Sequence, residues 1–155
     1  MLSSVIGRGA KPVSMIVEDT LWIGGYKAPQ KLPFKPDLWV HCAEEIRPNK
    51  KYAKKVIWLK MDDDDWDWRS HPKEVENILK VVRKAFDAIN EGRRVVVTCH
   101  MGLNRSGLVT GLLMCALGFT PGEVLGHLRA LRHSDVLCNS DFEDLVVSVG
   151  DKLAR

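Results

Sequence analysis

The segment Arg93–Gly107 constrains the fold more than any other part of this chain. It reads Arg-Arg-Val-Val-Val-Thr-Cys-His-Met-Gly-Leu-Asn-Arg-Ser-Gly. The first six residues are a β-branched core strand ending at Thr98. The apolar stretch Arg105–Leu117 follows as a helix, with only Cys99–Asn104 between the two. A strand and a helix this apolar, joined by so short a loop, need a sheet with helices packed on it.

The rest of the chain supplies that sheet. Ser14–Val17 and Leu21–Ile23 read as a hairpin with a turn at Glu18-Asp19, closed by Gly24-Gly25. Asp37–Cys42 and Val56–Met61 read as buried strands. Pro72–Glu91 carries Val75, Ile78, Leu79, Val82, Ala85, Phe86 and Ile89 on one helical face, with Pro72 in the first turn and Gly92 as the stop. Pro121–Arg132 is a helix opened by the N-cap Thr120, and Ser140–Leu153 is the last. The reading is α/β, a mixed central sheet flanked by helices: a loose tail over residues 1–12, then one domain over 13–155.

Charge is unevenly distributed. The net charge is +3, yet Asp62, Asp63, Asp64, Asp65 and Asp67 fall within six positions. The segment Lys27–Lys60 holds nine basic and three acidic residues. No run of about 18 apolar residues is present, so no membrane span is expected. The first ten residues lack the apolar stretch of a secretory signal. Cys42, Cys99, Cys115 and Cys138 form no Cys-x-x-Cys pair. Reduced thiols, a cytoplasmic location and no metal site are therefore expected.

The strand–loop–helix segment also carries chemistry. A loop feeding a helix N-terminus presents unpaired backbone amides and the positive end of the helix dipole. Such a nest binds a tetrahedral dianion. Gly102 lets the loop curl. Arg105 can fold its fork over two phosphate oxygens. The same surroundings favour a thiolate nucleophile at Cys99, and Ser106 can donate a hydrogen bond to the sulfur.

Cysteine, five residues, arginine, then serine, between a buried strand and a helix, resembles the cysteine-dependent phosphatases. The short chain looks like the dual-specificity branch of the protein tyrosine phosphatases. Ile16–Gly24, Leu38–Glu45, Leu59–Asp63 and Leu137–Phe142 are similar to that branch's opening hairpin, next strand, general-acid loop and last-helix entry. The resemblance implies a phosphocysteine intermediate on Cys99 and phosphate held by Arg105 and the loop His100, Met101, Gly102, Leu103 and Asn104. It implies a proton donor at Asp63, with Asp62 and Asp64 as close alternatives and Asp65 a further one. It departs at Thr98, where the family usually has His.

The implied substrate is protein phosphotyrosine, with or without phosphoserine and phosphothreonine, handled by a monomer without cofactor. Two rivals stay open. Gly102, Asn104 and Arg105 also agree with the loop of RNA 5′-triphosphatases, so RNA is a partner under that alternative. The other rival is a pseudophosphatase that only binds phosphorylated partners. In related lipid phosphatases, a cysteine placed like Cys42 pairs with the nucleophile on oxidation. Trp66 and Trp68 are candidates to wall the pocket.

Overall fold

Val95–Thr98, with four buried residues in a row, is the middle strand of a five-stranded sheet in the computed structural model, which describes residues 11–64 and 66–153. In chain order the strands are β1 (Val13–Val17), β2 (Leu21–Gly24), β3 (Leu38–Ala43), β4 (Lys55–Met61) and β5 (Val95–Thr98). The spatial order is β1-β2-β5-β3-β4. The hairpin β1–β2 is antiparallel, and β2, β5, β3 and β4 run parallel. The sheet is therefore mixed.

Register aligns the strand tips. Gly24 and His41 both face Thr98, one on each side. The residues that follow these tips emerge at the carboxyl edge of the parallel strands, where an open α/β sheet leaves a crevice.

Side chains alternate across the sheet as the period of two requires. Leu21, Ile23, Leu38, Val40, Val95 and Val97 enter the large core, while Trp22, Trp39 and Val96 enter a smaller cluster on the other face. The short helix α1 (Ala28–Lys31) and the chain after it cover that second face through Ala28, Leu32 and Phe34. Helix α1 is invisible in sequence, because four residues carry no periodicity.

The large face is covered by α2 (Pro72–Asn90), α3 (Arg105–Ala116), α4 (Pro121–Leu131) and α5 (Ser140–Gly150). Helix α3 is buried from Arg105 to Cys115, consistent with its lack of a polar face. Helix α4 begins with a capping box: Thr120 Oγ1 accepts from the Glu123 amide, and Glu123 accepts from the Thr120 amide. Asn139 caps α5 by accepting from the amides of Asp141 and Phe142. The last helix stops at Gly150, shorter than the apolar pattern to Leu153 suggests, and residues 151–153 form a turn.

Residues 1–10 and Asp65 lie outside the described residues, as do 154 and 155. Lys11 and Pro12 are described, and their carbonyls accept from Arg132 and from the Gly25 amide. Among the described residues, no helix is long and apolar enough to cross a membrane.

Candidate active site

The loop between β5 and α3 is held by its carbonyls. His100 O accepts from the Tyr26 amide at 3.3 Å, and Leu103 O accepts from the Leu137 amide at 3.2 Å. Met101 O and Gly102 O accept from the Arg132 guanidinium at 3.1 and 3.2 Å. Asn104 O accepts from Leu108 N at 2.8 Å in the first turn of α3. A planar trans peptide points its N–H opposite to its C=O. Five carbonyls tied to the surroundings therefore turn the amides of Met101 to Arg105 toward the inside of the loop.

That inside contains Cys99. The nucleophile candidate is 2% exposed, and its Sγ lies 3.3 Å from the Gly102 amide and 3.2 Å from Ser106 Oγ. Gly102 adopts φ +76°, and a Cβ there would come within 2.5 Å of the Gly24 backbone. Only glycine meets both demands.

Arg132 is 5% exposed, and it also donates to Ser14 Oγ at 3.1 Å. Burial works against its charge and lowers its pKa. Its sequence neighbourhood gives no hint of this role, since an arginine late in an amphipathic helix normally reads as a solvated residue.

Arg105 opens α3 and is also 5% exposed. Its two terminal nitrogens hold the Glu45 carboxylate in a fork at 2.6 and 2.7 Å, and Nη1 also donates to Met61 O at 2.9 Å. Hydrogen bonding to Arg105 lowers the Glu45 pKa from 4.5 to about 2. Arg105 Nε is buried with no partner among the described residues. A buried donor left open this way is costly unless something takes it. Beside the inward amides, a phosphate oxygen is a fitting acceptor. In sequence Glu45 is no more than the end of a strand and turn. The available signal was an acid just after a parallel strand, at the sheet edge that carries the loop.

Thr98, the departure noted in sequence, is buried and fully engaged. Trp39 Nε1 donates to its hydroxyl at 2.7 Å, so the hydroxyl proton goes to His41 Nδ1, also at 2.7 Å. His41 then carries its proton on Nε2 and donates to Ile46 O at 2.9 Å. Burial lowers the His41 pKa, which suits a neutral ring. One histidine thus fixes both the strand tip before Cys99 and the turn that carries Glu45.

The acidic run divides. Asp63 meets the loop directly: its Oδ2 accepts from Asn104 Nδ2 at 3.3 Å and its Oδ1 accepts from Asn139 Nδ2 at 3.3 Å. Asp62 and Asp64 are exposed and line a cavity of about 380 Å³ between β4, α2 and α5. Asp67 caps the turn Trp68–Ser70 by accepting from the Arg69 amide.

Trp66 lines the same cavity as Asp62 and Asp64, and both tryptophans contact α5. Trp66 packs edge-on against Phe142, and its amide donates to Asp141 at 2.8 Å. Trp68 Nε1 donates to Asp144 at 3.0 Å. Both hold the acidic loop against α5, because indoles on a polar loop next to a helix bury most area there.

His100 and Met101 sit on the exposed rim, where the His100 ring meets Tyr26 edge-on at 5.7 Å. Leu103 faces the core and is 3% exposed. Cys42 and Cys99 are both free and buried. Burial pushes the Cys42 thiol well up, and the nearby Cys99 sulfur adds to that.

The protein-tyrosine phosphatase family profile matches residues 37–141, more than half of the chain. The chain belongs to that family, and its fold is that of the dual-specificity members. Human DUSP28 superposes with a TM-score of 0.74 at 13% identity, over 92% of this chain and 94% of its own. Tk-PTP in its active form gives 0.70 at 18% identity, over 91% and 97%. A mouse putative dual specificity phosphatase complexed with zinc tungstate gives 0.70 at 15%, over 99% and 97%. No curated protein matches the chain by sequence.

Proposed function

We propose that the protein hydrolyses phosphate monoesters through a phosphocysteine on Cys99, with phosphotyrosine in proteins as the leading substrate and phosphoserine or phosphothreonine as further ones. The observation that carries this reading is the loop whose amides turn inward around the Cys99 sulfur while Arg105 Nε stays open. Family membership supports the substrate class.

The phosphoryl group is held by the amides of residues 101–105 and by the open Nε of Arg105, whose guanidinium is positioned by Glu45. The Cys99 thiolate attacks phosphorus, forming an S–P bond as the P–O ester bond breaks. Asp63 gives its proton to the departing oxygen. Water then attacks phosphorus, Asp63 takes the proton, and the S–P bond breaks to release inorganic phosphate. Ser106 donates to the sulfur as it leaves. We place this chemistry in the cytoplasm, where free thiols such as Cys42 and Cys99 stay reduced.

A chromogenic aryl phosphate and a phosphopeptide, each with the protein and with Cys99→Ser, test the reading. The expected result is turnover by the protein, and phosphate binding without turnover by the variant. Undiminished turnover in the variant refutes the mechanism. Binding without turnover in the unaltered protein identifies a pseudophosphatase. Preference for triphosphate-ended RNA identifies the RNA enzyme.

A further inference from the structure

Asn104 and Asn139 grip the two oxygens of one carboxylate from different parts of the fold. Asn104 lies on the loop that holds Cys99, and Asn139 caps the last helix. Their orientations are fixed by their other bonds. Asn104 Oδ1 accepts from the Asn139 amide at 2.9 Å, and Asn139 Oδ1 accepts from the amides of Asp141 and Phe142 at 3.0 and 3.2 Å. Each side chain has then spent its oxygen, so each presents its NH2 group to Asp63. Asn139 Nδ2 also reaches the backbone oxygens of Asp63 and Asp64 at 3.5 Å.

We propose that Asn104 and Asn139 are positioning residues for the proton donor, and that their two amides set how efficiently the protein expels poor leaving groups. This rests on the reading of Asp63 as that donor. Asp63 is exposed and lies outside any helix or strand, so its own backbone does little to aim it. A proton donor must sit within hydrogen-bond reach of the departing oxygen. The Asn104 contact registers Asp63 on the nucleophile loop, and the Asn139 contact registers it on the core. Neither amide exchanges a proton during the reaction. The proton passes from Asp63 to the ester oxygen as that P–O bond breaks.

Leaving-group dependence isolates this role, because a phenolate (conjugate acid pKa about 10) needs the proton far more than a nitrophenolate does. The test compares kcat and KM for phenyl phosphate and p-nitrophenyl phosphate in the protein, Asn139→Ser, Asp63→Asn and the double variant. Serine keeps the helix cap and removes the donor. The ratio of the two kcat/KM values, which excludes hydrolysis of the shared phosphocysteine, is expected to shift about tenfold against phenyl phosphate in Asn139→Ser. In the Asp63→Asn background, the same substitution is expected to leave the ratio unmoved. Asn104→Ser, which keeps the α5 cap intact, is expected to shift the ratio in the same direction.

An unchanged ratio in both asparagine variants overturns the proposal, because damage to the fold alone slows both esters together. A further shift in the Asp63→Asn background overturns it too, because the asparagine then acts elsewhere. Failures of the underlying reading appear with both asparagines intact. Asp63→Asn that leaves the ratio unchanged removes Asp63 as the donor. A protein that hydrolyses neither ester removes the phosphatase reading.

Discussion

The Thr98 hydroxyl stands 2.7 Å from His41 Nδ1, so a histidine of the neighbouring strand reaches the strand tip that precedes Cys99. The two residues are directly opposed in register, and both are fully buried. Thr98→Val keeps the shape and removes the oxygen. It leaves Trp39 Nε1 and His41 Nδ1 buried without partners, each costing about 1–3 kcal/mol. Denaturant unfolding is expected to show a loss of at least about 2 kcal/mol. A neutral effect would mean that the network does not support the strand tip.

Glu45 stays ionised far into acid because Arg105 holds it. Its pKa falls from 4.5 to about 2 on folding. A carboxylate with a lowered folded pKa adds stability above its ordinary value, and that stability fades as pH drops through the folded one. The stability gap between the protein and Glu45→Gln is therefore expected to be full at pH 7 and to shrink between about pH 4.5 and pH 2. The Glu45 side chain is 44% exposed, so solvent screening keeps the gap small. The same variant is expected to raise KM for phosphate esters, because the Arg105 fork loses its brace. A gap that widens in acid contradicts the assignment.

Asp62→Asn, Asp63→Asn and Asp64→Asn separate the register of the acidic run. Asn104, on the loop that carries Cys99, donates to Asp63. Asp63→Asn is expected to lower kcat by about 10²–10⁴ and to remove the fall in rate at high pH. The other two are expected to keep that limb. Its loss in either of them instead moves the donor by one residue.

Arg132→Leu removes the donors to Met101 O and Gly102 O. The loop amides then lose their inward orientation, and phosphate or tungstate binding is expected to weaken by tenfold or more, about 1.4 kcal/mol. Arg132→Lys is expected to rescue little, because one ammonium cannot span both carbonyls and Ser14. Titration calorimetry with tungstate measures both variants.

Much of this site is local in sequence, and that part was readable. Cys99, Gly102, Arg105 and Ser106 lie on one strand–loop–helix unit whose pattern of small and apolar residues fixes its conformation. The helices with a long period or a good cap, such as Pro72–Asn90 and Pro121–Leu131, were readable for the same reason. The partners that come from afar were not. Arg132 reaches the loop across 30 residues, Glu45 reaches Arg105 across 60, and His41 reaches Thr98 across 57. His41 and Glu45 depend on strand order and Arg132 on where its helix packs, and local periodicity encodes neither. In sequence Trp66 and Trp68 are candidates for a pocket wall; Trp66 does line a cavity beside the acidic loop, and the contacts of both indoles with α5 are not visible in sequence.

Gly102 meets the Gly24 backbone at a distance that admits no side chain, while Cys99 N reaches Gly24 O at 3.4 Å and Tyr26 N reaches His100 O. The opening hairpin and the loop that carries Cys99 thus brace each other, although about 75 residues of chain separate them. Hydrogen exchange in the hairpin is expected to track exchange in the loop, and anything that peels the hairpin from the sheet edge silences the site before the core melts. If Cys99 is the nucleophile we propose, its rate of alkylation is expected to fall whenever the first strands leave their place.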